Sequence, residues 1–141
     1  MTKPTIGVIG LGNMGRGIAT NFAKAGHLTA VWDISEGARN NLAAQDNIMV
    51  APPGEMAAAG AMMVYVVPAT PEIEASFEGE GGVLAQAAPG TVIYDLTTSF
   101  PEDTKRIAAR AAEAGIQYLD AAMSGGATGA DAGTLTLMIG G

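Results

Sequence analysis

The sequence has no cysteine, a single histidine, and few aromatic or charged residues. Without cysteine the chain can form neither disulfides nor thiolate metal sites, and we expect no metal centre. Acidic residues outnumber basic ones by 14 to 7, and the net charge of −7 argues against partners such as nucleic acid or an anionic membrane surface. No apolar run approaches the roughly 18 to 20 residues of a membrane span. These absences favour a compact, soluble globular protein.

Apolar and small residues are abundant instead. Hydrophobic residues make up 48% of the 141 residues, and 20 residues are glycine. This composition is ample for one core, so we expect residues 1–141 to form a single domain. The first residues, MTKPT, lack the apolar segment of a secretory signal, which predicts a cytoplasmic protein.

The most informative motif is GLGNMG, residues 10–15, which follows the apolar run IGVI and leads into a helical pattern. Strand, glycine turn and helix in this order are typical of a phosphate-binding turn. Gly10 permits the tight bend, Gly12 lets the backbone approach a pyrophosphate, and Gly15 lets the helix pack close to the strand. The helix N-terminus offers N–H groups and partial positive charge to the phosphates. We therefore predict a cofactor-binding turn made of Gly10, Leu11, Gly12, Asn13, Met14 and Gly15.

An acidic residue stands where the dinucleotide-binding fold needs one. The apolar run of residues 28–32 ends at Asp33, 23 residues after Gly10. A carboxylate at the end of the second strand accepts hydrogen bonds from the adenosine ribose hydroxyls and repels the extra phosphate of NADP. Two alternatives stay open: Asp33 merely caps the helix that begins near Ser35, or Arg39 holds a 2′-phosphate. The sequence favours NAD as the cofactor, with NADP as the alternative.

Strand and helix patterns alternate along the rest of the chain, and residues 120–129 are interpreted as a Gly/Ala-rich loop. The repeated strand–helix–strand units predict an α/β fold, a doubly wound Rossmann-type, mostly parallel sheet with helices on both faces. The loops after the fourth, fifth and sixth strands would meet the glycine turn at one edge of this sheet. Strands are predicted at residues 6–9, 28–32, 48–50, 61–67, 91–94, 116–119 and 135–139.

Three separated motifs resemble the N-terminal half of the β-hydroxyacid dehydrogenase family. This family includes 3-hydroxyisobutyrate and tartronate semialdehyde dehydrogenases and is similar to 6-phosphogluconate dehydrogenase. GLGNMGRGIATNFAKAGH resembles its cofactor signature, DLTTSFP its D-x-[ST]-[ST]-x-x-P segment, and DAAMSGGATGADAGTLTLMIGG its substrate-loop signature. The third motif departs from the family at Ala122 and Met123, where proline and valine are usual. Together the motifs extend over the chain from residue 10 to residue 141.

The resemblance implies roles for residues outside the glycine turn. Pro68 and Thr97 would line the nicotinamide side of the cofactor site, and Val67 beside them would also bind the cofactor. The substrate would be a small carboxylic acid, held by Ser124, Gly125 and Gly126. The hydroxyl of Ser124 and the unobstructed backbone N–H groups of the two glycines suit a carboxylate.

The family transfers a hydride between nicotinamide and a small 3-hydroxy acid or its oxo form, which implies that this chain belongs to such an oxidoreductase. In the family the proton is moved by a lysine from a second, all-helical domain, a role that suits a general acid or base. None of the lysines of this chain, Lys3, Lys24 and Lys105, matches the catalytic lysine of the family. We therefore expect no catalytic residue within residues 1–141, and we expect the helical domain to be absent from them.

Two further functions stay open. The first is a stand-alone, non-catalytic module that binds or senses NAD(H), which the missing lysine favours. The second is a reductase acting on C=N bonds, which the SGG loop disfavours. Because the last strand should expose apolar surface, the chain is expected to form a homo-oligomer such as a dimer, or to pack against a missing C-terminal domain.

Overall fold

The computed structural model describes residues 3–141, so the first two residues of MTKPT lie outside the described residues. The strands of this part of the chain are β1 (Ile6–Ile9), β2 (Thr29–Trp32), β3 (Ile48–Val50), β4 (Met62–Tyr65), β5 (Val92–Asp95), β6 (Gln117–Ser124) and β7 (Thr136–Gly140). The helices are α1 (Gly15–Lys24), α2 (Glu36–Ala43), α3 (Pro53–Ala58), α4 (Thr70–Phe77), α5 (Val83–Gln86), α6 (Pro101–Glu113) and α7 (Gly126–Ala132).

The strands form one sheet in the order β3-β2-β1-β4-β5-β6-β7. Strands β1 to β6 pair in parallel, and β7 pairs antiparallel with β6. From β1 the chain adds β2 and β3 on one side of the sheet and then β4 to β7 on the other side. The switch point therefore lies between β1 and β4, where folds of this class bind ligands. The predicted doubly wound, mostly parallel α/β fold is confirmed. Among residues 3–141, none of the helices has the length and apolar character that crossing a membrane requires.

Helices cover both faces of the sheet. One apolar cluster joins Met56 on α3 and Phe77 on α4 to Met63 on β4. A second cluster joins Ala19 on α1 to Val8 on β1. The central strand β1 is buried at all four residues. A continuous apolar strand such as IGVI is what a parallel strand covered on both sides requires.

Local sequence explains where several helices begin. Ser35 precedes α2 and its hydroxyl accepts a hydrogen bond from the Ala38 N–H at 3.3 Å, a helix N-cap. Proline occupies the first turn of α3, α4 and α6, as Pro53, Pro71 and Pro101. Its fixed φ suits this position, and its missing N–H costs no helical hydrogen bond there.

The prediction of a loop at residues 120–129 is wrong. Strand β6 continues to Ser124, because its second half pairs with β7 from Asp120 opposite Gly140 to Ser124 opposite Thr136. Residues 126–132 then form α7. The partner strand lies downstream in the sequence, and a run of glycine and alanine has no hydrophobic periodicity from which a strand or helix could be predicted.

Small residues let α7 pack closely on α1. A Cβ atom at Gly17 of α1 would lie 2.6 Å from the Asp131 Oδ1 atom of α7. The Asn21 Nδ2 atom donates to the Ala130 carbonyl oxygen at 2.7 Å. These contacts, rather than apolar periodicity, fix α7 against α1.

Strand β7 forms an apolar edge of the sheet. Leu137, Met138 and Ile139 are between 42% and 56% exposed. The expected exposure of apolar surface at this edge is therefore present. The oligomeric state that it suggested stays a prediction.

Candidate functional site

The glycine turn between β1 and α1 is packed so closely that side chains are excluded at two positions. A Cβ atom at Gly10, where φ is +99°, would lie 2.0 Å from the Val66 carbonyl oxygen, and one at Gly15 would lie 1.8 Å from the Gly10 carbonyl oxygen. At Gly12, by contrast, a Cβ atom would meet no described heavy atom within 4 Å. The protein itself does not require glycine at residue 12, so the open space there is available to a ligand that approaches the backbone.

The first turn of α1 presents backbone donors to this space. The Arg16 N–H donates to the Gly12 carbonyl oxygen at 3.2 Å, so the helical hydrogen bonds begin there. The preceding N–H groups have no carbonyl one turn earlier to bond. Gly12, Asn13 and Met14 line the cleft. Such donors, with the partial positive charge of the helix end, suit a diphosphate.

Asp33 ties the glycine turn to the end of β2. Its Oδ2 atom accepts from the Leu11 N–H at 2.8 Å, and its Oδ1 atom accepts from the Ser35 N–H at 2.8 Å. Because Ser35 is itself the cap of α2, the alternative that Asp33 is merely a helix cap is not what the structure shows. A carboxylate has about four acceptor positions, so about two remain for ligand hydroxyls.

Arg39 lies beside the same strand end. Its Nη1 atom donates to the Asp33 carbonyl oxygen at 2.6 Å, and its guanidinium carbon stands 4.6 Å from the centre of the Trp32 ring. This stacking on the ring face is a cation–π arrangement. Arg39 is thus held beside Asp33 by two protein contacts. Only one of its five N–H groups is used in this hydrogen bond.

A cleft of about 740 Å³ opens above the carboxyl ends of the central strands. It contains every predicted cofactor-binding residue except Leu11, whose side chain is 5% exposed and packs in the core. Leu11 therefore shapes the turn and gives its N–H to Asp33. The predicted residues that do line the cleft are Gly10, Gly12, Asn13, Met14, Gly15, Asp33, Val67, Pro68 and Thr97.

The cleft is long enough to separate two kinds of ligand group. Asp33 follows β2 and Thr97 follows β5, three strand spacings or about 14 Å apart. At the Thr97 end, the Thr97 Oγ1 atom accepts from the Val67 N–H at 3.4 Å. The site therefore has a ribose-type acceptor at one end, backbone donors in the middle and a hydroxyl at the other end.

A second cavity of about 700 Å³ adjoins the first between β5, β6 and α6. Thr97 and Met123 line both cavities. Of the predicted substrate residues, Gly126 lines this second cavity. Ser124 and Gly125, which directly precede Gly126 in the sequence, are exposed. The SGG segment is thus brought next to the Thr97 end of the cleft.

One buried acid, Asp95, and two tyrosines, Tyr65 and Tyr118, lie near Thr97 and have raised pKa values. Burial raises the pKa of Asp95, and hydrogen bonds from Tyr118 and Thr97 oppose that rise in part. Burial and the bond to Asp95 raise the pKa of Tyr118, and burial raises that of Tyr65. Both phenols therefore stay protonated near neutral pH and can act as hydrogen-bond donors.

Residues 5–141 match the family model of the NAD binding domain of 6-phosphogluconate dehydrogenase. The chain belongs to this family. The resemblance predicted from three motifs is thereby confirmed. The family match covers the glycine turn, Asp33, the DLTTSFP segment and the SGG segment in one continuous stretch.

Individual relatives agree with this assignment. The chain is 38% identical over 136 residues to the NAD-dependent L-serine dehydrogenase of Pseudomonas aeruginosa, covering 96% of this chain and 46% of that protein. It is 40% identical over 135 residues to 2-(hydroxymethyl)glutarate dehydrogenase of Eubacterium barkeri, covering 96% and 45%. The solved structure of Mycobacterium tuberculosis 3-hydroxyisobutyrate dehydrogenase with L-serine superposes with a TM-score of 0.85 at 33% identity, covering 99% and 47%. The chain spans about half the length of the relatives it matches.

Sequence reasoning missed part of the cleft. Trp32, Ile34 and Ser76 line it, as do the prolines that begin α3. Ile34 follows Asp33 directly and is 91% exposed. An apolar residue directly after the acid that ends β2 could therefore have been predicted from the sequence as part of the cleft. Ser76 lies on α4, and only the tertiary fold brings that helix to the cleft.

Proposed function

We propose that this chain binds NAD in the cleft between the glycine turn and the Thr97 loop and forms the cofactor-binding part of an oxidoreductase. The reaction is hydride transfer between nicotinamide and a small 3-hydroxy acid or its oxo form. The observation that carries the proposal is the open space at Gly12, which lies between glycines that protein contacts demand and an acid positioned at the end of β2. The names of the relatives, which include hydroxy-acid dehydrogenases, support the reaction class.

The chain's own residues bind and orient. The α1 N-terminus holds the diphosphate through Gly12, Asn13 and Met14, and Asp33 accepts from the adenosine ribose. Val67, Pro68 and Thr97 line the nicotinamide end. Bound nicotinamide supplies or accepts the hydride. Because Thr97 lines both cavities, a nicotinamide ring held against Thr97 lies beside the second cavity, from which a substrate can approach the ring.

Ser124, Gly125 and Gly126 anchor the substrate carboxylate in this proposal. They lie at the end of β6, next to the Thr97 end of the cleft. The proton of the reaction is moved by a group outside the three predicted binding segments, and the family resemblance assigns that role to a lysine of a separate helical domain. Residues 1–141 act as one cofactor-binding domain, in the cytoplasm, in association with a second copy or with that helical domain.

NAD is the preferred cofactor in this proposal. A 2′-phosphate would stand close to the Asp33 carboxylate, whose negative charge would repel it, whereas Arg39, the nearby cation, stacks on Trp32 and uses one of its five N–H groups on the Asp33 carbonyl oxygen. Relatives with NADP are known in this fold, since the solved structure of Psf3 in complex with NADP+ superposes with a TM-score of 0.86 at 26% identity, covering 95% of this chain and 48% of that one.

The test is a titration of the purified chain with NADH and NADPH, read by nicotinamide fluorescence, for the wild type and for Asp33→Asn. The variant keeps a hydrogen-bond acceptor but removes the negative charge. The expected result is saturable NADH binding and a preference for NADH that shrinks about ten-fold or more in the variant, roughly the effect of one charged contact. Failure of the wild type to bind either nucleotide would contradict the proposal.

A second candidate is a non-catalytic module that binds or senses NAD(H), and the absence of a motif-matched lysine favours it. The two functions differ in what the SGG segment does. We expect short 3-hydroxy acids to bind the NAD-loaded chain, and Ser124→Ala to weaken that binding. Cofactor binding with no response to any such acid would support the non-catalytic module instead.

A further inference from the structure

A chain of hydrogen bonds joins the residues at the carboxyl ends of β4 and β5 to a tyrosine near the start of β6. The Tyr118 hydroxyl of β6 donates to the Asp95 Oδ2 atom at the end of β5. The Thr97 N–H donates to the Asp95 Oδ1 atom at 2.9 Å. The Val67 N–H then donates to the Thr97 Oγ1 atom at 3.4 Å. One buried carboxylate thus connects three strands that are far apart in sequence.

Asp95 is the fixed point of this chain. It is only 1% exposed, and each of its two oxygens accepts one donor. A buried carboxylate without partners would carry a large desolvation cost, so both donors are held strongly in place. Burial raises the pKa of Asp95, and Asp120 and Tyr65 also face it. The pKa of Tyr118 is raised as well, so its phenol stays protonated near neutral pH and remains a hydrogen-bond donor.

Thr97 is the adjustable end. The Val67 to Thr97 distance of 3.4 Å is at the long limit for a hydrogen bond, so this contact alone fixes the threonine weakly. The shorter bond of its own N–H to Asp95 fixes its backbone instead. Thr97 lines both cavities, whereas Val67 lines the cofactor cleft and Tyr118 lines the second cavity. The hydrogen-bonded chain therefore runs along the wall between the two cavities.

We propose that Asp95 and Tyr118 are positioning residues, which hold the Thr97 hydroxyl and the Val67 backbone in the geometry that receives the nicotinamide half of the cofactor. This inference rests on the proposed function. It predicts that the two residues act on the nicotinamide end of the cleft and leave the adenosine end, about 14 Å away across the sheet, unaffected.

The experiment compares two nucleotides that share the adenosine half. NADH carries nicotinamide and ADP-ribose does not, so the ratio of their dissociation constants measures what the nicotinamide end contributes. Calorimetric titrations of the whole chain would be made for the wild type, Tyr118→Phe and the control Thr91→Val. Thr91 is a buried residue just before β5 whose hydroxyl donates to the Ala88 carbonyl oxygen at 2.7 Å, so the control also removes one buried hydroxyl bond, and Thr91 lines neither cavity.

Tyr118→Phe is expected to weaken NADH binding about five-fold, the effect of one lost hydrogen bond, and to leave ADP-ribose binding unchanged. Thr91→Val should leave the ratio of the two constants at the wild-type value. Asp95→Asn should retain most of the wild-type NADH affinity, because its amide oxygen can accept from the Thr97 N–H and its amide nitrogen can donate to the Tyr118 oxygen. A purely structural role would weaken both nucleotides equally.

The outcomes separate the inference from the proposed function. If the wild type binds ADP-ribose and NADH but Tyr118→Phe leaves their ratio unchanged, the positioning role is wrong and the cofactor site stands. An equal loss of both nucleotides in Tyr118→Phe also overturns the positioning role. If the wild type binds neither nucleotide, the proposed function fails and this inference fails with it.

Discussion

The two ends of the cleft are built by different physical means. At the Asp33 end, the backbone atoms of the glycine turn and of Val66 come so close that Gly10 and Gly15 accept no side chain, and Asp33 bonds the turn 22 residues earlier. At the other end, residues 92–124, side chains form the structure through Asp95, Tyr118 and Thr97. The glycines of the first end stand in one contiguous motif, to which Asp33 and Val66 are added by the fold. At the second end, two of the three hydrogen bonds join residues that are 23 and 30 positions apart.

This difference explains which parts of the site tolerate change. Steric exclusion by backbone is rigid, because a backbone atom cannot move aside without moving its strand. A hydrogen-bonded side-chain wall can change composition if the partners remain satisfied. We therefore expect substitutions at the glycine turn to affect folding most, and substitutions at the SGG segment to affect folding least.

The largest effect is expected for Gly15→Ala, because the new methyl group would lie 1.8 Å from the Gly10 carbonyl oxygen. The free energy of unfolding should fall by about 3 kcal/mol or more, measured by urea unfolding. The matched control is Gly12→Ala, where the same methyl group meets no described atom, and its stability should stay within about 0.5 kcal/mol of the wild type. Equal losses in the two variants would contradict the steric account of the turn.

Asp33→Ala should have the next largest effect on stability. It leaves the Leu11 and Ser35 N–H groups without their acceptor, which should cost about 2 kcal/mol in urea unfolding. Asp46→Ala removes an exposed carboxylate and serves as the control. If the two variants were equally stable, Asp33 would not tie the turn to β2.

At the other end of the cleft, Asp95→Asn should change how stability depends on pH. Burial raises the pKa of Asp95 in the folded chain, so its favourable contribution is complete below the unfolded value of about 4 and is lost as the pH rises through the folded pKa. Asparagine does not titrate. The variant should therefore gain stability relative to the wild type as the pH rises from about 4 to 7, measured by urea unfolding at several pH values. A difference independent of pH would contradict this account.

The smallest effect is expected at the SGG segment. Ser124 lies exposed at the end of β6, so Ser124→Ala should change the unfolding free energy by less than about 0.5 kcal/mol. Thermal unfolding of the two proteins would show this. A large loss would mean that the segment serves the fold rather than a ligand.

The sequence alone was sufficient for the parts that local patterns encode. The glycine turn, Asp33 and the first five strands could be predicted because each lies in a contiguous apolar run or motif. The extension of β6 and the helix α7 could not, since their stability comes from pairing with β7 and from packing against Gly17. The role of Leu11 in the core and the link from Asp95 to Tyr118 also depend on tertiary contacts.

The most direct test of the cofactor site is a calorimetric titration of NADH into the wild type and into Gly12→Ala, whose stability should match. The account predicts saturable binding by the wild type and a dissociation constant about ten-fold or more higher in the variant, because its methyl group fills the space left for the diphosphate. Equal binding by the two proteins, or no binding by the wild type, would contradict it.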